Sequence, residues 1–273
     1  MRRSTAGLGL ALAFSTTAAA EPLAISNPGF EALYLGSNLP PEYGGDVPAG
    51  AFPTGPAPAG WEIYYEGGTP IGGAFIGVLN PGTAADHAPN PAFFPDGAPE
   101  GDNAALLYMS GDTGDDEFGL TQQLGATLEA DTHYTLSVAV GNIASGAGLV
   151  EPFTSFFDLG GFPGYRVQLL AGGVVLAEDA GTLAPDEGAF ETSHVELTTG
   201  SDPEQVDQPL VIRLVNRNQP DEPGVSGLEV DFDDVQLDAS PAIQVPISPA
   251  AAVVLGLALA LCGVLWIEMR RRR

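Results

Sequence analysis

The chain has 273 residues, a formal net charge of −26 and a single cysteine. Residues 21–240 hold only three of the nine Lys and Arg but all except one of the 35 Asp and Glu, a balance that repels nucleic acid and anionic headgroups and attracts divalent cations. Cys262 lies in an apolar tail, so no disulfide staples the body, and the isolated His87, His133 and His194 give no zinc spacing.

The first segment, "MRRSTAGLGLALAFSTTAAA" (1–20), has a basic start, a short apolar run and an A-x-A close at Ala18 to Ala20. That layout predicts a secretory signal peptide, because the apolar run is too short to span a bilayer. The body, residues 21–240, is then exported and of a size for one large domain. Residues 241–249 read as a linker. Residues 250–267 are continuously apolar and just long enough to cross roughly 30 Å of hydrocarbon. The basic end 268–273, with Arg270 and Arg271, holds that side in the cytoplasm.

Within the body, 36 Gly and 24 Pro punctuate short alternating runs, and helical periodicity is nearly absent. In "HYTLSVAVGN" (133–142), Tyr134, Leu136, Val138 and Val140 share a face. "GYRVQLLAGGVVLAED" (164–179) reads as a hairpin through Gly172-Gly173. Residues 193–200, 209–216 and 228–238 complete a set of strands that predicts an all-β sandwich. Three stretches, 36–60, 80–103 and 143–163, are too rich in Gly, Pro, Ala and Asp for strands and read as long loops at the sandwich ends. "SGDTGDDEFG" (110–119) lacks EF-hand spacing and reads as an exposed turn.

The last strand, "VDFDDVQL" (230–237), raises a question of its own. Asp233 and Asp234 are adjacent, so they face opposite sides of a sheet unless a bulge intervenes. A carboxylate facing a core needs a partner.

Taken in order, "ISNPGFEA" (25–32), Gly60-Trp61, "GDNAALLY" (101–108), "LTQQLGATLEADTHYTLSVAVGN" (120–142), the 164–179 hairpin and "VDFDDVQL" resemble the galactose-binding-like jelly roll. More closely, they resemble carbohydrate-binding modules of the family 4/9/22 type. The resemblance implies a structural calcium that clips the first and last strands together. Its implied ligands are Glu31 and Asp234, with Asp233 as alternate and Asn27 as a further donor. The tail "VPISPAAAVVLGLALALCGVLWIEMRRRR" (245–273) resembles the PEP-CTERM exosortase sorting signals through Val245, Pro246 and Pro249 ahead of the apolar run and basic end. It lacks the usual Glu between the prolines, and a plain single-pass anchor is the alternative.

Alternation places Leu210, Ile212 and Leu214 inside and Arg213 outside, and likewise Tyr165, Val167 and Leu169 inside with Arg166 and Gln168 outside. Two readings follow. Either the arginines pair with carboxylates, or Arg166, Gln168 and Arg213 form a cleft that binds a glycan, with Tyr64 and Tyr65 among the loop aromatics able to stack on sugars. Trp61 reads as core. No catalytic motif is present, and carboxylate pairs arise by chance in so acidic a body. The expectation is a non-catalytic, calcium-stabilised surface protein that binds polysaccharide, is processed by an exosortase-type enzyme and is anchored in the membrane at least transiently. The alternatives are a surface-matrix protein without a discrete ligand, or a carboxylate-based glycan-active enzyme.

Overall fold

A computed structural model describes residues 19–32, 46–110, 116–219 and 228–242. Residues 1–18 of the 1–20 leader lie outside the described residues, as do the apolar run 250–267 and the tail positions Val245, Pro246, Pro249, Arg270 and Arg271. Among the described residues no helix is long and apolar enough to cross a membrane.

The alternating runs form strands. In chain order they are β1 (Glu21–Pro22), β2 (Glu62–Tyr65), β3 (Ala74–Leu79), β4 (Ala104–Met109), β5 (Phe118–Thr127), β6 (Thr132–Asn142), β7 (Gly146–Ala147), β8 (Phe156–Phe157), β9 (Tyr165–Ala171), β10 (Val174–Asp179), β11 (Ala189–Thr198), β12 (Pro209–Asn216) and β13 (Leu228–Pro241). One helical turn, α1 (Ala84–His87), interrupts them. A six-stranded sheet has the order β11-β6-β13-β4-β3, with β1 also on β13, and a five-stranded sheet has the order β10-β9-β12-β5-β2. All pairings are antiparallel, and non-consecutive neighbours mark crossovers between the two layers.

The core lies between the sheets. Tyr134, Leu136, Val138 and Val140 of β6 and Leu228, Val230 and Phe232 of β13 meet Tyr165, Val167 and Leu169 of β9 and Leu210, Ile212 and Leu214 of β12. Each fully buried side chain of this kind contributes about 1.5–3 kcal/mol of transfer free energy. Trp61 is core as expected. It stacks near Phe30 at 5.4 Å between ring centroids, and its indole N–H donates to the Asn27 carbonyl at 3.1 Å. Gly172 and Gly173 both take positive φ, 57° and 80°, which closes the β9–β10 hairpin as a two-residue turn.

A bulge on β13 answers the question of the adjacent aspartates. The register with β6 shifts between Asp233 and Gln236, and Asp234 takes φ 47°. Before the bulge Leu228, Val230 and Phe232 point into the core, and after it Val235 and Leu237 do. Glu229, Asp231 and Asp233 therefore all project from the outer face of the six-stranded sheet, yet all three are buried.

The long loops are the reason. They were expected at the sandwich ends. Their described parts instead lie on this outer face, where Phe93, Phe94, Ile143 and Leu159 join Leu79 of β3 and Leu106 of β4 in a second apolar cluster, with Phe52, Tyr108, Phe157 and Phe190 against it. Two strand glycines admit them. A Cβ on Gly77 would stand 2.2 Å from the Pro53 carbonyl oxygen, and one on Gly141 would stand 2.6 Å from the Phe190 ring.

Candidate active site

Between the loops and the sheet lies a cavity of about 240 Å³. Its floor is set by register. Phe75 of β3 pairs with Tyr108 of β4, and Tyr108 pairs with Glu229 of β13, so three neighbouring strands present one row of side chains. Leu79 and Leu106 continue the floor, and Thr54, Ile143 and Leu159 line the sides. The walls are phenylalanines from separate loops. Phe52 is the hub, with ring centroids at 5.9 Å from Phe93 and 4.9 Å from Phe157, both edge-on, and at 4.5 Å from Phe153.

One acid opens into this apolar space. Glu229 lines the cavity and is 3% exposed. Asp231, two residues on along the same strand face, is 0% exposed and does not line the cavity. Its register partners are Leu106 and Gly141, which offer no side-chain donor. Loss of solvent, with no cation to compensate, pushes the Glu229 carboxyl up to about 8, and the same cause raises Asp231 well above the usual carboxylate range. Glu229 Oε1 and both Asp231 oxygens are buried without a hydrogen-bond partner, so nothing there compensates a negative charge. Burial thus favours the protonated, donating form of Glu229.

Chemically, the arrangement is a proton donor in a water-poor aromatic box. Aromatic faces attract cations, an effect worth about 2 kcal/mol or more where water is excluded. The lining contains no Lys, Arg or His, so nothing in it recognises an anionic substrate.

The predicted calcium set does not assemble. Both Glu31 oxygens are taken: Oε1 accepts from the Asp102 and Asn103 amides at 2.8 Å, and Oε2 from the Asn103 side chain at 2.7 Å. Asn27 accepts from the Ala32 amide and donates to the Ala32 and Ala59 carbonyls. Asp233 is buried, and its two oxygens accept from the Glu100 and Asp234 amides. Asp234 accepts from Gln236. Among the described residues no group of three or more His, Cys, Asp or Glu is arranged to hold a metal ion.

The predicted glycan cleft also resolves differently. Arg166, Gln168 and Arg213 do lie on an outer face, that of the five-stranded sheet, opposite to the cavity layer. There Arg166 pairs with Glu117 at 2.9 Å and Glu178 at 3.3 Å, Arg213 donates to Gln168 at 3.2 Å, and its guanidinium sits 4.0 Å over the Tyr64 ring. Arg166 thus pairs with carboxylates, whereas Arg213 takes the Gln168 amide oxygen and the Tyr64 ring face. Tyr65 turns the other way and packs on the core.

A family model described as HpiC1 cyclase matches residues 21–238. Among solved structures, the Stig cyclase Fisc from Fischerella sp. TAU, in complex with (3Z)-3-(1-methyl-2-pyrrolidinylidene)-3H-indole, is 35% identical. It aligns over 82% of this chain and 100% of its own, with a TM-score of 0.63. A cyclase from Fischerella sp. TAU in complex with 4-(1H-indol-3-yl)butan-2-one is likewise 35% identical, over 82% of this chain and 100% of its own, with a TM-score of 0.62. An apo cyclase from Fischerella sp. is 34% identical, over 82% and 98%, with a TM-score of 0.62. No curated protein matches.

These findings correct the functional expectation. The all-β sandwich stands, but the carbohydrate-module resemblance gives way to a cyclase family covering nearly the whole body. Non-catalytic polysaccharide binding and the surface-matrix alternative fall with it. The similar structures hold small indole compounds, which overturns the expectation of polysaccharide and an exosortase as partners. The match ends at residue 238 and lends the sorting-tail resemblance no support. Sequence reasoning missed Glu229 altogether and met Asp231 only as one of three strand acids.

Proposed function

Because the chain belongs to the HpiC1-like cyclase family, we propose that it is a cyclase that closes a carbon ring on a small, uncharged, indole-class substrate by acid catalysis from Glu229. The observation that carries this reading is the buried Glu229 carboxyl at the floor of a phenylalanine-walled cavity, where loss of solvent favours its protonated form. Glu229 gives its proton to the substrate's π-system. The resulting cation lies among Phe52, Phe93, Phe153 and Phe157, and an internal double bond or the arene attacks it to form the new C–C bond. Loss of a proton from the ring-closed cation returns that proton to the Glu229 carboxylate. The reaction is an isomerisation: no atoms are gained or lost, and no oxidant is needed. General acid catalysis of this kind is worth about 10²–10⁴ in rate.

The test is incubation of the purified body, residues 21–240, with a panel of 3-alkenylindoles and a search for cyclised products of unchanged mass. Binding of 4-(1H-indol-3-yl)butan-2-one by calorimetry runs in parallel. Isomer formation together with indole binding supports the assignment. Neither isomer nor binding across the panel overturns it.

Calcium enters this reading only as a structural ion. Glu31 and Asp234 flank the Pro28–Gly29 turn, whose Pro28 carbonyl accepts from the Val235 amide. An ion there would take Glu31 over from the N–H groups of the 100–103 turn. It would stand apart from the cavity, and no step of the reaction passes through it. We also propose that the body is exported behind the 1–20 leader, with 250–267 as a membrane segment. N-terminal sequencing and cell fractionation test this, and a cytoplasmic protein with an intact leader would refute it.

A further inference from the structure

We infer that a second recess beside the cavity, divided from it by the Phe75 ring, is a subsite for a neutral hydrogen-bonding group of the substrate, with the Tyr65 hydroxyl as its donor. This subsite rests on the cyclase reading of the cavity and adds to it what the far end of the substrate carries. The recess measures about 200 Å³ and lies between β2 and β3, the edge strands of the two sheets. Alternation builds it. Ile63 and Tyr65 of β2 and Ala74 and Ile76 of β3 pack toward the main core. Phe75, between the last two, turns the other way into the row that runs through Tyr108 to Glu229. The covering segment runs along β3, with the Gly55 amide donating to the Ile76 carbonyl at 2.9 Å and Thr54 bridging to Gly77. Thr54 and Phe75 line both spaces, so cavity and recess adjoin at the edge of β3.

The two spaces differ in chemistry. The cavity wall is almost wholly apolar, whereas the recess wall is mainly polar. No charged side chain lines the recess, so nothing in it selects an ion. The Tyr65 ring packs on the core, but its hydroxyl has no hydrogen-bond partner among the described residues. A carbonyl or ether oxygen placed there gives that hydroxyl an acceptor. Phe75 is the partition. The Tyr108 ring lies 5.9 Å from it, tilted by 39°, yet 44% of Phe75 is exposed, so its ring has room to swing aside. Glu229, Tyr108 and Phe75 sit on three neighbouring strands, which makes the row from acid to partition about 10 Å long at roughly 4.8 Å per strand. The group read by Tyr65 is therefore at the opposite end of the substrate from the carbons that Glu229 protonates. A hydrogen bond so remote is made equally in ground and transition states, and it lowers KM without raising kcat.

The experiment is calorimetry on the whole chain with two matched series. One is the indol-3-yl alkan-2-ones from 4-(1H-indol-3-yl)butan-2-one upward, and the other is 3-alkylindoles of equal chain length without the carbonyl. At the length that spans the row, the carbonyl is expected to tighten wild-type binding about fivefold, the worth of one neutral hydrogen bond. Tyr65→Phe keeps the ring on the core and removes only the hydroxyl. It is expected to abolish the carbonyl gain and to leave 3-alkylindole affinity unchanged. Phe75→Ala removes the partition, and the gain is expected to appear at shorter chains. On any alkenylindole with the carbonyl that turns over, Tyr65→Phe raises KM about fivefold and leaves kcat in place. A carbonyl gain that survives in Tyr65→Phe, or no gain at any length, overturns the subsite, while binding of the alkylindoles leaves the cyclase reading standing. An equal loss for both series in Tyr65→Phe marks damaged packing and contradicts the donor role. Binding of neither series to wild type overturns the cyclase reading and the subsite together.

Discussion

Glu229 and Asp231 stand two residues apart on β13 on the same outer face of the sheet, and the loops that cover that face bury both acids and leave the Asp231 oxygens without a hydrogen-bond partner. Such a pair is costly. Two acids removed from water without a cation keep their protons, and that retention is itself a reagent.

The pair makes stability depend on pH with a definite sign. Below the ordinary carboxyl value of 4.5 Glu229 is protonated in both folded and unfolded chains and costs nothing. As pH rises from there to about 8, the unfolded chain has released the proton while the folded chain still holds it, so stability falls. Above about 8 the loss is complete. A tenfold change in proton affinity is worth about 1.4 kcal/mol, so the total is on the order of 5 kcal/mol. Asp233, also pushed up to about 8 chiefly by burial, adds a loss of the same sign. Glu229→Gln is therefore expected to match wild type in denaturant melts near pH 4 and to exceed it near pH 9. Equal stability of the two at both pH values would contradict a raised Glu229.

Gly77 is where the covering loop touches the sheet. Gly77→Ala puts a methyl within 2.2 Å of the Pro53 oxygen, and backbone on both sides must move. The expected cost is about 1–3 kcal/mol, by analogy with overpacking. Because Phe52 and Thr54 flank that contact, affinity for 4-(1H-indol-3-yl)butan-2-one is expected to fall with it. Calorimetry and melts on one preparation check both.

Phe52 joins three other rings, so it holds the cage together. Phe52→Ala is expected to cost up to about 3 kcal/mol, the low end for a phenylalanine truncation because the ring is partly exposed. Indole affinity should fall at least tenfold. Phe52→Leu, which retains bulk without a π-face, separates shape from cation stabilisation: binding recovers, turnover does not.

Arg213→Ala, on the far sheet, is expected to leave indole binding unchanged and to shift the melting point little, since a half-exposed stack on Tyr64 contributes about 0.5–1 kcal/mol. A large loss of binding would place the ligand on the wrong sheet.

Calcium and chelator are expected to change the melting temperature of the body without moving the Glu229 titration midpoint. A midpoint that follows calcium would tie the metal to the cavity and contradict its separate structural role.

Much of the sandwich was legible in the sequence. Alternation in 133–142, 164–179 and 209–216 named the core residues, and Arg166 and Arg213 fell on the outer face as read. The site was not legible, for one physical reason. An outer sheet face was taken to mean solvent, whereas here the Phe-rich loops make it a second interior. Glu229 then looked like one more surface acid among many. Two signals were present: Gly77 and Gly141 inside otherwise apolar strands, where glycine marks close approach by another chain segment, and the E-x-D-x-D alternation of 229–233. The carboxylate pair was discounted as chance because composition alone cannot tell a buried acid from a solvated one.

The measurement that bears most directly on the account is turnover of a 3-alkenylindole by wild type and Glu229→Gln, with binding of 4-(1H-indol-3-yl)butan-2-one measured on the same samples. The amide keeps size and hydrogen bonding and removes the transferable proton. The account predicts a loss of kcat of at least about 10²-fold with binding within twofold. A Glu229→Gln variant that cyclises at the wild-type rate would contradict it.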